Sequence, residues 1–446
     1  MSKFILCALV FVSSSAFAAK LSDYSPYKYE VLFTNPECKT YYYDSALQAQ
    51  NGSDVKAKSK NAYCKSGDAS RSQNRENSPH TRLIEWIKDP NTTEIFMAYL
   101  SFSKQSVAEE LCNAIKYRNV KVTLVYDVNN DEDDSRTTSI DYLKRCRPTR
   151  IANGDRANYP TVVSTGSRGV GSNKTGYAHN KLLMVNPFDQ KEVKLVFSSG
   201  NMSSGVATHH ENWHFITTSG KSYFANAHRC LISGMLEHDQ GIREYAKHIA
   251  DCRSKIEARE EDDIKIFFIP GEGKAALQAI TSELSRSESV DIAVHRFSYG
   301  ALESLIAKHL TAKKKARLVG DDDLYWSGVY RRGMGRNMLG EYTRVRNLEK
   351  KGLQAKYIET WADDVMEPQS LQLHHNKFLI FNQRGGQGAV FAGAGNLTSA
   401  AFHSNFENFY MIKIPEIYQA FATQYEYLWE KLGKSYSELP EELVLP

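Results

Sequence analysis

Two short phrases hold the residues that could do chemistry. Tyr177 to Asn186 reads Y-A-H-N-K-L-L-M-V-N, and Leu373 to Asn382 reads L-H-H-N-K-F-L-I-F-N. Each sets a histidine two residues before a lysine at the start of an apolar, strand-like run. Each is followed by a Gly-Asn pair and a hydroxyl residue, Gly200, Asn201 and Ser203 in one case and Gly395, Asn396 and Thr398 in the other. Each then reaches a Glu-Asn pair with an aromatic neighbour, Glu211-Asn212-Trp213 and Glu407-Asn408-Phe409. Four polar counterparts, His179/His375, Lys181/Lys377, Asn201/Asn396 and Glu211/Glu407, are separated by 195 or 196 residues. Polar residues that keep such a register mark an internal repeat.

On a strand, residues i and i+2 share a face, so His and Lys would stand side by side as nucleophile or acid and fixed positive charge. A Gly-Asn turn lets the backbone come close, and its amide and hydroxyl groups can donate to an anion's oxygens. A glutamate can accept from the histidine's second ring nitrogen and fix its tautomer. Two facing half-sites of this kind suit a phosphodiester. One histidine attacks phosphorus, the other protonates the leaving oxygen, and lysines and asparagines stabilise the transition-state charge. The chemistry needs no metal and no cofactor, because the lysines supply the positive charge. Either histidine could attack; His179 is taken as the nucleophile.

These segments resemble the phospholipase D superfamily, whose repeated motif is usually written His-x-Lys-x4-Asp. The resemblance covers roughly residues 81 to 430. It implies an α/β fold of two halves related by a pseudo-twofold, with mixed or parallel sheets and the active site at their interface. It implies a covalent phosphohistidine intermediate. It assigns catalytic roles to His179, Lys181, Asn201, His375, Lys377 and Asn396, with Glu211 and Glu407 as the histidine-orienting acids; Ser203 and Thr398 would contact substrate. The motif's Asp is replaced in both halves, by Asn186 and Asn382. That position looks structural in the family, so activity is expected to survive.

The elements that must hold these residues repeat as well. Glu94 to Ser103 reads as a buried strand, Val107 to Tyr117 as a helix and Val120 to Asp127 as a second strand. Val290 to Ser298, Leu302 to Leu310 and Ala316 to Asp321 give the same order, and the helical crossover predicts parallel pairing. The expected organisation is a signal peptide over 1–18, a disulfide-tethered extension over 19–80, and two repeated halves over 81–260 and 261–446. Within the extension, 51–78 is rich in Ser, Asn, Lys and Arg and is expected to be a long surface loop.

The chain has 446 residues, 41% hydrophobic and 24% charged, which places it among folded globular proteins. Its formal net charge of +4 is compatible with an anionic partner but too small to choose one. Lys3, the apolar Phe4 to Val12 and Ala16-Phe17-Ala18 follow the order of a secretory signal, which predicts an exported protein, periplasmic or secreted. No other run is long and apolar enough to cross a membrane, and the mature chain is expected to be a monomer. With Cys7 in the signal, Cys38, Cys64, Cys112, Cys146, Cys230 and Cys252 remain. An even number in an exported chain favours disulfides, with sequential pairing the simplest of fifteen patterns.

Other patterns carry less. His210-Glu211-Asn212-Trp213-His214 fits H-E-x-x-H, but it runs into β-favouring residues, whereas the zinc motif needs a helix, and its repeat partner keeps only the glutamate. The acidic run from Asp127 lacks the glycine and the final glutamate of a calcium loop. Asp321 and the residues after it end a strand near the expected site. His295 and Arg296 could line the pocket or simply pack. The favoured function is phospholipase D-type hydrolysis of phospholipid at a membrane surface, with transfer to alcohols as an accompanying option. The alternatives are a secreted nuclease acting on DNA or RNA by the same chemistry, and a non-catalytic phosphate-binding protein. A basic-aromatic stripe of the kind that grips single-stranded nucleic acid is absent from the sequence.

Overall fold

The computed structural model describes residues 18–21, 27–36, 63–64, 66–132, 134–149, 151, 156–322, 324–325, 336–358, 360 and 370–438. Most of the expected signal segment, Cys7 and Cys38 fall outside the described residues, as does the side chain of Cys64. In chain order the first-half strands are Ala18–Leu21 (β1), Tyr27–Thr34 (β2), Tyr63–Cys64 (β3), Glu94–Tyr99 (β4), Lys121–Asp127 (β5), Thr161–Thr165 (β6), Lys181–Val185 (β7), Val193–Ser198 (β8) and Glu211–Thr218 (β9). The second-half strands are Ile264–Ile269 (β10), Ser289–Val294 (β11), Lys315–Asp321 (β12), Gln354–Ile358 (β13), Ser370–Leu371 (β14), Lys377–Asn382 (β15), Gly388–Gly393 (β16), Glu407–Ile412 (β17) and Lys434–Ser435 (β18).

They form two eight-stranded mixed sheets, ordered β1-β2-β9-β8-β7-β4-β5-β6 and β10-β17-β16-β15-β11-β12-β13-β18, with β3 and β14 as a separate two-stranded ribbon. Seven strands occupy equivalent places in both sheets. β4 runs parallel to β5, and β11 to β12, each pair joined by a helix, Gln105–Arg118 or Gly300–Thr311. The expected strand-helix-strand units are therefore present in the expected parallel sense. The fold is α/β, built from two repeated halves.

The segment 19–80 needs correction. Tyr27–Thr34 is no extension: it pairs antiparallel with β9 as β10 pairs with β17, and so opens the first repeat. Tyr27, Tyr29, Val31 and Phe33 are buried in the core, the alternation of a strand with a packed face. Part of the expected loop is also ordered, as the helix Ser66–Asn74, and a second helix, Pro79–Lys88, follows it. The serine before the second of these caps it, accepting a hydrogen bond from the Thr81 amide, and Pro79 fits the first turn.

Both faces of the central strands are buried, which is why they read as continuous apolar runs. In β4, Ile95, Met97 and Tyr99 pack with the first half's helices, while Phe96 and Ala98 face a core shared by the two sheets. In that shared core Phe197 stacks on Tyr410 across the seam with ring centroids 3.7 Å apart. Phe421 meets Phe33 of one sheet and Phe378 of the other edge-on. The halves thus bury one apolar core between them, the arrangement that fixes their relative position. Cys112 bonds to Cys146 and Cys230 to Cys252, two of the three sequential pairs. Among the described residues, no helix is long and apolar enough to cross a membrane.

Candidate active site

The two phrases meet at the seam. Strand β7 begins at Lys181 and β15 at Lys377, so each histidine lies just before its strand, not on it. What holds the histidines is a contact between the halves. Ala178 forms a parallel bridge with Phe406, and His210 with His374. The His179 amide donates to the Phe406 carbonyl at 2.9 Å, and the His375 amide to the His210 carbonyl at 3.0 Å. In a parallel bridge the next residue of one chain meets the next of the other. His179 is therefore brought beside Glu407, and His375 beside Glu211.

The side chains complete this exchange. His179 Nδ1 lies 2.8 Å from Glu407 Oε2, and His375 Nδ1 lies 2.8 Å from Glu211 Oε1. Each glutamate thus serves the histidine of the opposite half. A carboxylate only accepts, so the proton of each pair sits on Nδ1 and leaves Nε2 with its lone pair. The asparagines after the glutamates cross too. Asn408 Oδ1 accepts from the Lys181 amide at 3.1 Å, and Asn212 Nδ2 donates to Asn376 Oδ1 at 2.9 Å.

Lys181 Nζ donates to the His179 carbonyl at 2.9 Å and Lys377 Nζ to the His375 carbonyl at 2.7 Å. Lys377 also reaches Ser199 of the other half at 3.2 Å. Both lysines are buried. Burial pushes Lys181 down to about 8 despite Glu407, Glu211 and Asp127, and it holds Lys377 well below the usual ammonium range with Lys181 adding to the effect. Burial also lowers both imidazoles, with the lysines assisting and the glutamates opposing. Glu211 goes the other way from what burial alone would do. His375, His209 and Lys377 outweigh the desolvation and hold it far below the carboxylate range.

Gly200 and Gly395 explain the Gly-Asn pairs. A Cβ on Gly200 would lie 2.7 Å from the Trp213 ring and 2.9 Å from the Glu211 carboxyl carbon; on Gly395 it would lie 2.2 Å from the Phe409 ring. The backbone has to approach the Glu-Asn-aromatic strand closer than any side chain allows. The Oδ1 atoms of Asn201 and Asn396 are buried without a hydrogen-bond partner among the described residues. A half-turn of either amide presents an N–H at the same point. Ser203 and Thr398 are used locally, accepting from the Gly205 amide at 3.3 Å and the Ala401 amide at 3.4 Å.

Asn186 and Asn382 stand at the far ends of β7 and β15 from the lysines. Asn186 has a left-handed backbone with φ of 51°, which asparagine tolerates. Its Oδ1 accepts from the Thr93 and Glu94 amides at 2.9 and 3.1 Å, and its Nδ2 donates to the Asn91 carbonyl at 2.8 Å. Asn382 ties Asp291 and Ser289 to Tyr418. Both replacements of the motif's Asp hold loops and strands together.

The sequence alone assigns no role to Asp127 or His209 and leaves those of Asp321 and His295 open, and the site uses all four. Asp127 and Asp321 end β5 and β12 fully buried. Asp127 Oδ2 accepts from the Ala178 amide at 2.6 Å and Asp321 Oδ2 from the His374 amide at 2.7 Å, each gripping the residue before a site histidine. Their common place at the end of matching strands was a readable signal. His209 lies in the site beside Glu211. His295 packs its ring 4.9 Å from that of His375, so it lines the site rather than the outer core. The H-E-x-x-H histidines go elsewhere: His214 lies 2.7 Å from the Tyr29 hydroxyl, and His210 faces His374 across the seam.

Residues 257–429 match the family model described as cardiolipin synthase, phospholipase D-like domain. The second half is thus similar to a phospholipase D-like domain over that stretch. Among solved structures, phosphatidylserine synthase of Haemophilus influenzae Rd KW20 is 15% identical, with 80% of this chain and 85% of that one covered and a TM-score of 0.52. That likeness shows the two-lobed fold. NucT from Helicobacter pylori is 19% identical over 38% of this chain and 98% of its own, with a TM-score of 0.31. Nuc from Salmonella typhimurium, a phospholipase D family member, is 18% identical over 39% and 97%, with a TM-score of 0.29. No curated protein matches the chain.

Proposed function

We propose that this protein is a member of the phospholipase D superfamily, an exported phospholipase D-type phosphodiesterase that works through a phosphohistidine on His179. The observation that carries the reading is the crossed arrangement, two Nδ1-anchored histidines with two buried lysines and two asparagines around one seam. In the first step the Nε2 lone pair of neutral His179 attacks phosphorus. The bond to the leaving oxygen breaks, and that oxygen takes a proton from Nε2 of His375. In the second step His375 accepts a proton from water, the hydroxide displaces Nε2 of His179 from phosphorus, and both histidines return to their starting state. Lys181, Lys377, Asn201 and Asn396 stabilise the equatorial oxygens. Burial, with Lys377 adding to it, depresses His375, and the bound phosphate's negative charge opposes both, so His375 takes up its proton as substrate binds.

A lipid surface is favoured by the loop that delivers His179. Residues 166–177 form a hairpin-like excursion, closed by amide bonds between Ser167 and Gly176 and between Thr175 and Arg168. Its tip exposes Val170 at 84%, and Tyr177 is 54% exposed beside the site. Arg168 and Lys174 flank them, also exposed. Apolar and aromatic tips between cations suit the boundary of an anionic bilayer. Export is supported by the N-terminal pattern and by two disulfides.

The test is cleavage in excess EDTA by purified protein, offered phospholipid vesicles and single-stranded DNA in parallel, with His179→Ala and His375→Ala. Phosphatidate released from vesicles by the wild type and by neither variant is the expected result. Cut DNA with intact lipid would replace the substrate and keep the mechanism. No cleavage of either would favour phosphate binding alone.

A further inference from the structure

The two half-sites give their glutamates different partners. In the second half Asn405 Nδ2 donates to Glu407 Oε1 at 3.0 Å. The equivalent residue of the first half is His209, whose Nδ1 lies 3.4 Å from Glu211 Oε1, the same oxygen that His375 Nδ1 approaches at 2.8 Å. An amide suffices to partner the glutamate, as Asn405 demonstrates. The imidazole adds a capacity that the amide lacks, that of a metal ligand.

We propose that His209, Glu211 and His375 form an inhibitory site for a zinc-like divalent ion, drawn from both halves of the molecule. The proposal rests on the catalytic reading of Glu211 and His375 given above. One ligand atom from each of the three residues lies within 4.8 Å of the others, and the His209 and His375 rings are 5.6 Å apart. Tetrahedral zinc, with bonds of roughly 2.0–2.1 Å, spaces its ligand atoms about 3.4 Å apart, so small side-chain adjustments close the trio on an ion. Two imidazoles and one carboxylate form a borderline donor set that zinc favours over calcium or magnesium, and three protein ligands leave a fourth position open. The carboxylate is already fixed from behind, because its Oε2 accepts from the Ser199 hydroxyl, which in turn accepts from the Asn212 amide. His209 is only partly buried and provides the open side.

Binding would stop turnover for a definite reason. An ion on His375 Nδ1 takes that nitrogen's lone pair, so the ring's single proton moves from Nδ1 to Nε2. It also takes Glu211 as its own ligand. The neutral metal-bound ring is a far weaker acid than the imidazolium the first step needs, and while it keeps its Nε2 proton it has no lone pair to accept one from water in the second step. The His179–Glu407 pair is untouched, since Asn405 offers no equivalent ligand. The H-E-x-x-H pattern thus fails as a helical zinc motif, while its glutamate joins a different pair of histidines.

The experiment uses full-length protein stripped of metal, with free zinc held by a buffer. Zinc binding is read by competition with a chromophoric chelator, and hydrolysis with bis(p-nitrophenyl) phosphate. The wild type is expected to bind one ion and lose activity over the same zinc range. His209→Asn, which copies the other half, is expected to weaken both effects by at least about tenfold, each relative to its own metal-free rate; outer-shell losses alone reach that scale. Asn405→His is expected to create a second binding event, which keeps the proposal testable should His209→Asn fold poorly. A wild type that binds no zinc, a His209→Asn variant that binds and is inhibited like the wild type, or acceleration by zinc would each overturn the proposal. Failure of the diester assay with zinc binding intact would count against the proposed function and leave the metal site standing.

Discussion

Each glutamate of this site belongs to the half that does not hold its histidine. At the scale of single residues this has a testable energetic signature. Glu211 and His375 act as one unit, and Glu407 and His179 as another. In double-mutant cycles on turnover, Glu211→Gln is expected to be strongly non-additive with His375→Ala, and Glu407→Gln with His179→Ala. Each glutamine variant alone should lose about 10²- to 10⁴-fold in kcat. Stronger coupling of Glu211 to His179 would contradict the exchange. The lysines add a pH dependence. Lys181, pushed by burial to about 8, carries its charge below that value and loses it as the pH rises through it. Activity toward an anionic diester, measured as kcat/KM, is therefore expected to fall on the alkaline side near pH 8. Lys181→Arg should abolish that limb, because a guanidinium stays charged. His179, lowered by burial, keeps its Nε2 lone pair below the ordinary histidine range, so the acid limb from its protonation lies on the far side of that range.

At the scale of elements, much of the molecule was readable. β4, β5, β11 and β12 showed as short apolar runs because both of their faces are buried, and the helices between them fixed the parallel sense. β2 was hidden because its partner lies almost two hundred residues away and a long polar stretch follows it. The exchange of glutamates was hidden for a related reason. Spacing along the chain places Glu211 near its own half's turn, but only the parallel bridges at the seam decide which histidine it meets. Asn186 and Asn382 tie strand ends to neighbouring loops through their amides. Asn186→Asp restores the residue usual in the superfamily motif but loses the donor to the Asn91 carbonyl. It is expected to leave kcat unchanged and to cost about 1 kcal/mol of stability, read as a small drop in Tm. A large loss of activity with an unchanged Tm would give that position a chemical role.

At the scale of the whole molecule, the two halves cannot work separately, since each completes the other's site and both share one core. Substrate choice also belongs to this scale, because under the proposed function the exposed loop bearing Val170 would meet the lipid surface. Val170→Asp is expected to reduce turnover of phospholipid vesicles by about tenfold or more while leaving a soluble diester unaffected, since an acidic side chain is costly at an anionic bilayer. Equal turnover of vesicles by both proteins would remove that loop from the account.

The most direct measurement traps the covalent state. The His375→Ala variant is mixed with a phosphodiester carrying a good leaving group, quenched in base and mapped by mass spectrometry. Without His375 to accept water's proton, the second step slows and the adduct should accumulate on His179. A phosphoryl adduct on His179, missing from His179→Ala, is the result predicted here. Turnover with no adduct, or an adduct on a residue other than His179, would contradict the assignment of His179 as nucleophile and His375 as the proton-transfer partner.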